Sequence, residues 1–171
     1  MPLIRDGAFV ADDFVHVADG EALPAGPIVV SLARFLAERA TLLQRDSGVG
    51  VRLEPSEGPE ALGSDVNRLA RVEIMFPKFR DGRGYTTARL LRVRLGYTGE
   101  IRAVGDVLRD QWLFMARCGI DAFEVRPGTR LEDFRVAMAE QTVFYQRAAD
   151  GAESIFARRQ ARLAPQVMAA E

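Results

Sequence analysis

Cysteine and histidine are almost missing from this chain, with one of each, Cys118 and His16. One cysteine cannot close a disulfide within the chain, nor hold an iron–sulfur cluster or a zinc ion there. A lone histidine removes the paired-histidine metal motifs, so no metal site is expected. If the protein works in redox metabolism, it carries no protein-ligated iron–sulfur centre of its own. Lysine is scarce as well: Lys78 stands alone among 23 Lys and Arg residues, and Asn67 is the only asparagine. A GC-rich genome that replaces lysine by arginine wherever either serves would leave this pattern. A lysine that survives such a bias either marks a position where a compact or titratable ammonium matters or remains there by chance.

No excess of one charge sign is present, the formal net charge being -1. That excludes the strongly basic profile of a nucleic-acid binder, and no nucleic-acid partner is expected. Apolar runs such as Pro27–Val30 and Leu113–Ala116 fall far short of a membrane span. The first residues, Met1-Pro-Leu-Ile-Arg-Asp-Gly7, lack a basic stretch followed by an apolar one, so no signal peptide is read there and a cytoplasmic location is expected.

What the chain does contain is ordinary globular composition over 171 residues, enough for one domain with its own core. Residues 1–20 alternate weakly around Asp6-Gly7, a hairpin signal. Five short apolar runs then alternate with amphipathic segments: Ile28–Val30, Val49–Leu53, Val72–Phe76, Ile101–Val104 and Ala122–Val125. Ser31 is placed to cap a helix to about Arg45, and Asp106 to cap one from Val107 to Cys118. Thr129–Glu132 has the spacing of a capping box for a last helix to about Ala149. Strand–helix alternation with short connections predicts an α/β fold of about five parallel strands. The simplest form is an open sheet with helices on both faces; an incomplete β/α barrel is the alternative. Residues 1–149 form the domain, with its hairpin in 1–20, and 150–171 form a tail or an extra helix.

In either form the loops after the strands line one edge, where such folds hold ligands. The loop after the third apolar run, Lys78-Phe-Arg-Asp-Gly-Arg-Gly-Tyr85, has two glycines that let backbone N–H groups turn toward an anion, and three cations beside them. Lys78, Arg80, Gly82, Arg83 and Gly84 are therefore the candidate anion-binding residues, joined by Arg109 from the next loop. Thr87 stands where a dinucleotide loop has its third glycine, and no Walker pattern is present. Lys78 and Asp106 are the candidate acid–base groups, with capping as the competing role of Asp106 and an ion pair as the commoner fate of both. Tyr85 and Tyr97 flank the following helix and could close over a ligand. Cys118, at a helix C-terminus, reads as a buried structural thiol, and His16, in an edge strand, as inert.

The runs Phe76–Tyr85, Arg89-Leu-Leu-Arg92, Gly96–Gln111 and Arg117-Cys-Gly-Ile-Asp-Ala-Phe123 resemble a bacterial family, the domain of unknown function nine-three-four. Its members are commonly described as uncharacterised or as oxidoreductases of sulfite reduction, since their genes lie beside assimilatory sulfite reductase and adenylyl-sulfate reductase. The resemblance implies a role in sulfur assimilation and supplies no catalytic residues. Three readings follow. The favoured one is an accessory protein of sulfate or sulfite reduction that binds a small oxyanion or sulfite reductase through residues 78–85 and 105–111, with no cofactor. The second is an enzyme for a small anionic substrate, and the third a nucleotide or flavin binder.

Overall fold

The computed structural model describes residues 1–167. Eight strands form one sheet: β1 (Leu3–Arg5), β2 (Ala8–Val10), β3 (Val15–His16), β4 (Ile28–Ser31), β5 (Val49–Leu53), β6 (Arg71–Phe76), β7 (Glu100–Gly105) and β8 (Ala122–Glu124). Their order is β2-β1-β8-β7-β6-β5-β4-β3. Strands β3 to β8 are mutually parallel, so the five runs read from the sequence are parallel neighbours and β3 adds a sixth. The Asp6-Gly7 turn makes the expected hairpin, with both residues at positive φ (51° and 71°), and β1 pairs antiparallel with β8.

The parallel strands follow one another in chain order. With right-handed crossovers this winding keeps every connection on one side of the sheet, since helices reach both faces only where the order reverses. Helices on both faces are thus corrected to helices on one, and the sheet curls as a half-barrel. Its convex face carries Val51, Leu53, Val72, Ile74, Phe76, Ile101 and Ala103, packed under Phe35, Leu42, Leu62, Leu91, Trp112, Met115 and Phe134 in a single apolar core.

The connecting helices are shorter than their sequence patterns suggest. Ser31 caps α1 (Leu32–Ala37) by accepting from the Arg34 N–H at 3.0 Å, but the helix breaks at Glu38 before α2 (Arg39–Leu42). The segment Pro59–Arg68 is 3₁₀ in character and interrupted at Gly63, whose φ is 58°. After β6 come α3 (Arg83–Arg89) and a π-type turn, Leu90–Arg94. Helix α4 covers Trp112–Arg117 and is entered through a 3₁₀ turn, Arg109–Gln111, so Asp106 is not its cap. Helix α5 runs over Leu131–Ala139 and ends well before Ala149; Thr129 is not its cap, since its Oγ1 donates to the Arg126 carbonyl at 2.8 Å and Arg130 takes the cap position. Residues Ile155–Val167 form α6, within the segment read as tail or extra helix, and residues 168–171 lie outside the described residues.

Arg92 ties this layer together. Its Nε donates to the Gly119 carbonyl at 2.9 Å, Nη1 to the carbonyls of Tyr97 and Gly99 at 2.7 Å each, and Nη2 to Asp121 at 2.6 Å. Asp121 in turn accepts from the Ile101 N–H, and the Tyr97 hydroxyl donates to the Leu69 carbonyl. Burial pushes the Tyr97 hydroxyl far above its ordinary pKa, so it stays a neutral donor rather than a group poised over a ligand. Only a planar guanidinium offers donors in all these directions. Arg92→Lys is expected to destabilise the fold by about 2–4 kcal/mol in chemical denaturation despite preserving the charge. A loss within experimental error would show that the four bonds are dispensable.

Candidate functional site

Strands β6 and β7 end at Phe76 and Gly105, so both candidate loops open at the C-terminal edge of the sheet, as expected. Within the first loop the Asp81 N–H closes a turn on the Lys78 carbonyl at 3.0 Å. The Gln111 side chain donates to the Phe79 carbonyl at 3.4 Å, so the two loops are joined. Lys78, Phe79, Arg80 and Arg83 are all exposed. The glycines divide in role. A Cβ on Gly84 would lie 2.6 Å from the Phe76 ring, so Gly84 is required by close packing of α3 on β6, whereas a Cβ on Gly82 meets only Tyr85 at 3.7 Å.

Several of the charges find partners nearby. Arg83 holds Asp81 in a two-pronged contact at 2.6 and 2.9 Å, Arg109 donates to Glu140 at 2.8 Å, and Arg126 donates to Asp106 at 2.7 Å. Lys78 and Arg80 stand in no ion pair among the described residues. Tyr85 packs between Phe76 and Phe114, at ring separations of 5.3 and 4.7 Å. Cys118, expected to be buried, is only partly so, and burial pushes its thiol up.

A second group of charges lies outside the residues expected from the sequence. The concave face of the sheet, which no helix covers, carries Arg52, Arg71, Glu73, Glu100 and Arg102. Arg52, Glu73 and Arg102 sit opposite one another across β5, β6 and β7, with Arg71 and Glu100 paired two residues earlier. Glu73 is fully buried and accepts from Arg52 Nε and Nη2 at 3.1 and 2.9 Å. Arg71 Nε and Arg102 Nη2 approach the same Glu100 oxygen at 2.7 and 2.9 Å. Asp12, from the segment between β2 and β3, supplies the third carboxylate and binds both Arg71 and Arg102. Phe14 lies under the Arg71 guanidinium, 3.8 Å from its ring centre. Three guanidiniums thus meet three carboxylates, and a fourth, Arg5, reaches Glu100 at 2.8 Å from β1.

The signal for this layer was present. Parallel strands covered on both faces read as continuous apolar runs. Here Val51-Arg52-Leu53, Val72-Glu73-Ile74 and Ile101-Arg102-Ala103 alternate strictly, which marks one polar face.

Burial opposes ionisation of Asp12, but hydrogen bonds from Arg102 and Arg71 outweigh it and hold its carboxyl at about 2. Its native pKa lies below the unfolded one. The stabilisation is therefore complete above the ordinary carboxylate range and is lost as pH falls toward 2. With the side chain 30% exposed, solvent screening leaves about 1 kcal/mol of it. Asp12→Asn should be less stable than wild type by about that amount at neutral pH, and the two unfolding curves should converge as pH approaches 2. A gap that persists unchanged at pH 2 would mean that ionisation of Asp12 is not what stabilises this layer.

No helix among the described residues is long and apolar enough to cross a membrane. A search of curated proteins returned no match. Residues 50–156, which take in β5 to β8, both candidate loops and the Arg92 centre, match the family described as bacterial protein of unknown function (DUF934). The match spans more than half of the sequence, and the chain belongs to that family.

Proposed function

We propose that this chain is an accessory protein of assimilatory sulfate or sulfite reduction, acting by binding. The surface it uses is the loop 78–85 with its neighbour 105–111, and its target is an acidic group, on sulfite reductase or on a small oxyanion. The observation that carries this reading is the turn Lys78-Phe79-Arg80. Two cations without ion-pair partners among the described residues flank a phenyl ring that is 51% exposed, and the backbone beneath is fixed by Gln111. A rigid cation–aromatic–cation edge suits a protein surface that offers carboxylates and an apolar contact.

The link to sulfur assimilation comes from the family resemblance. The loops supply the place and the charge. At an exposed edge only positive charge is asked of Lys78, so arginine should serve there as well as lysine.

The Lys78→Ala/Arg80→Ala double variant should lose about tenfold in affinity for purified sulfite reductase, read by biolayer interferometry, and should lose any rise in melting temperature given by millimolar sulfate. Lys78→Arg should behave as wild type in both. A double variant that binds the reductase like wild type, and that restores growth of a deletion strain on sulfate as sole sulfur source, would overturn the reading.

A further inference from the structure

His16, expected to be inert from its place in an edge strand, lines a cleft of about 430 Å³, within the range of small-ligand sites. The cleft opens at the C-terminal ends of β3, β4 and β5, the same edge of the sheet as the loops above but a different stretch of it. Lys78 and Arg80 take no part in it.

Beneath the imidazole, Arg52 Nη2 lies 3.3 Å and Glu73 Oε1 3.6 Å from Nε2. Glu73 is wholly buried, and this oxygen has no hydrogen-bond partner. A neutral ring whose Nε2 accepts from Arg52 carries its proton on Nδ1. Desolvation lowers the His16 pKa, which favours that neutral form. Arg52 binds Glu73 through Nε and Nη2, and its Nη1 has no partner among the described residues. Two donors, His16 Nδ1 and Arg52 Nη1, therefore remain for a ligand carboxylate.

The loop side of the cleft has the opposite character. Ser31 Oγ donates to one oxygen of Asp19 at 2.7 Å, and Glu57 is held by the Glu54 N–H at 2.8 Å. The Glu54 carboxylate itself has no partner among the described residues. A carboxylate-rich rim around a floor of donors repels a simple anion and holds an ammonium group.

We propose that this cleft binds a small zwitterion of the α-amino-acid class, its carboxylate on Arg52 and His16 and its ammonium on Glu54 and Asp19. A carboxylate seated against the ring favours a second proton on His16, and the resulting Nε2–H gives Glu73 Oε1 the hydrogen bond it lacks. The charged groups facing the ring are Glu73, Arg52, Asp12 and Glu124 on the sheet side, and Asp19, Glu21, Glu54 and Glu57 on the loop side. Binding should therefore move the His16 titration to higher pH.

Because His16 is the only histidine, its ring signals in a two-dimensional ¹H–¹⁵N NMR spectrum report on this site alone. The probes are the L-α-amino acids one by one, with acetate, ethylammonium and sulfate as controls, all at the same millimolar concentration. At least one amino acid should shift the signals saturably and raise the His16 pKa, at a concentration about tenfold below that needed by any control. Glu54→Gln, an exposed substitution that leaves the sheet intact, should weaken that binding about tenfold. The proposal is overturned if no amino acid moves the signals, if acetate or sulfate moves them as strongly, or if Glu54→Gln binds like wild type.

Discussion

Four residues, Ala11 to Phe14, connect the two opposite edges of the sheet, and the shape of the molecule follows from their shortness. Strand β2 ends one edge at Val10 and β3 begins the other at Val15. Eight strands laid flat would separate those edges by about 34 Å, whereas the link reaches about 19 Å fully extended. The sheet therefore has to curl, and the link crosses its hollow. Asp12 and Phe14 then lie within reach of Arg71, and Asp12 also of Arg102.

This geometry explains why the hollow is ionic. Among the described residues the inner face of the curled sheet is crossed by the short link, and Arg71, Glu73 and Arg102 are buried on it. Large side chains with partners in every direction fill it. Three arginines matched by three carboxylates do so. The arrangement is costly to break at its fully buried carboxylate, since removing Glu73 strands buried guanidinium charge at about 3–5 kcal/mol. His16, Glu73 Oε1 and Arg52 Nη1, at the side of the layer next to the cleft, are among its incompletely engaged groups. The runs that carry the family resemblance divide along the same line. Arg92, Gly99, Gly119 and Asp121 belong to the scaffold through the guanidinium they share, while Lys78 to Arg80 face solvent.

The parallel strands and the hairpin were legible because apolar runs and the Asp6-Gly7 turn are local signals. That both candidate loops open at one edge of the sheet was legible, since topology alone dictates it. Helix ends were less so. Thr129 has the spacing of a cap, yet its hydroxyl is taken by the Arg126 carbonyl, and Gly63 breaks a periodic segment through its positive φ. The charged layer depends on residues separated by up to 90 positions, such as Asp12 and Arg102, whose meeting is set by the curl and by no local pattern. His16 was passed over for the same reason. Its value comes from Glu73 and Arg52, which lie on other strands.

The claim on which the rest depends is that Asp12 pins the short link to the centre of the sheet. A double-mutant cycle between Asp12→Asn and Arg102→Met, measured by urea unfolding at neutral pH, isolates that contact from the other partners of each residue. The account predicts a coupling of about 1–3 kcal/mol, shrinking at low pH as Asp12 is protonated. A coupling near zero, with both single variants folded, would contradict it and leave the curl without its fastening.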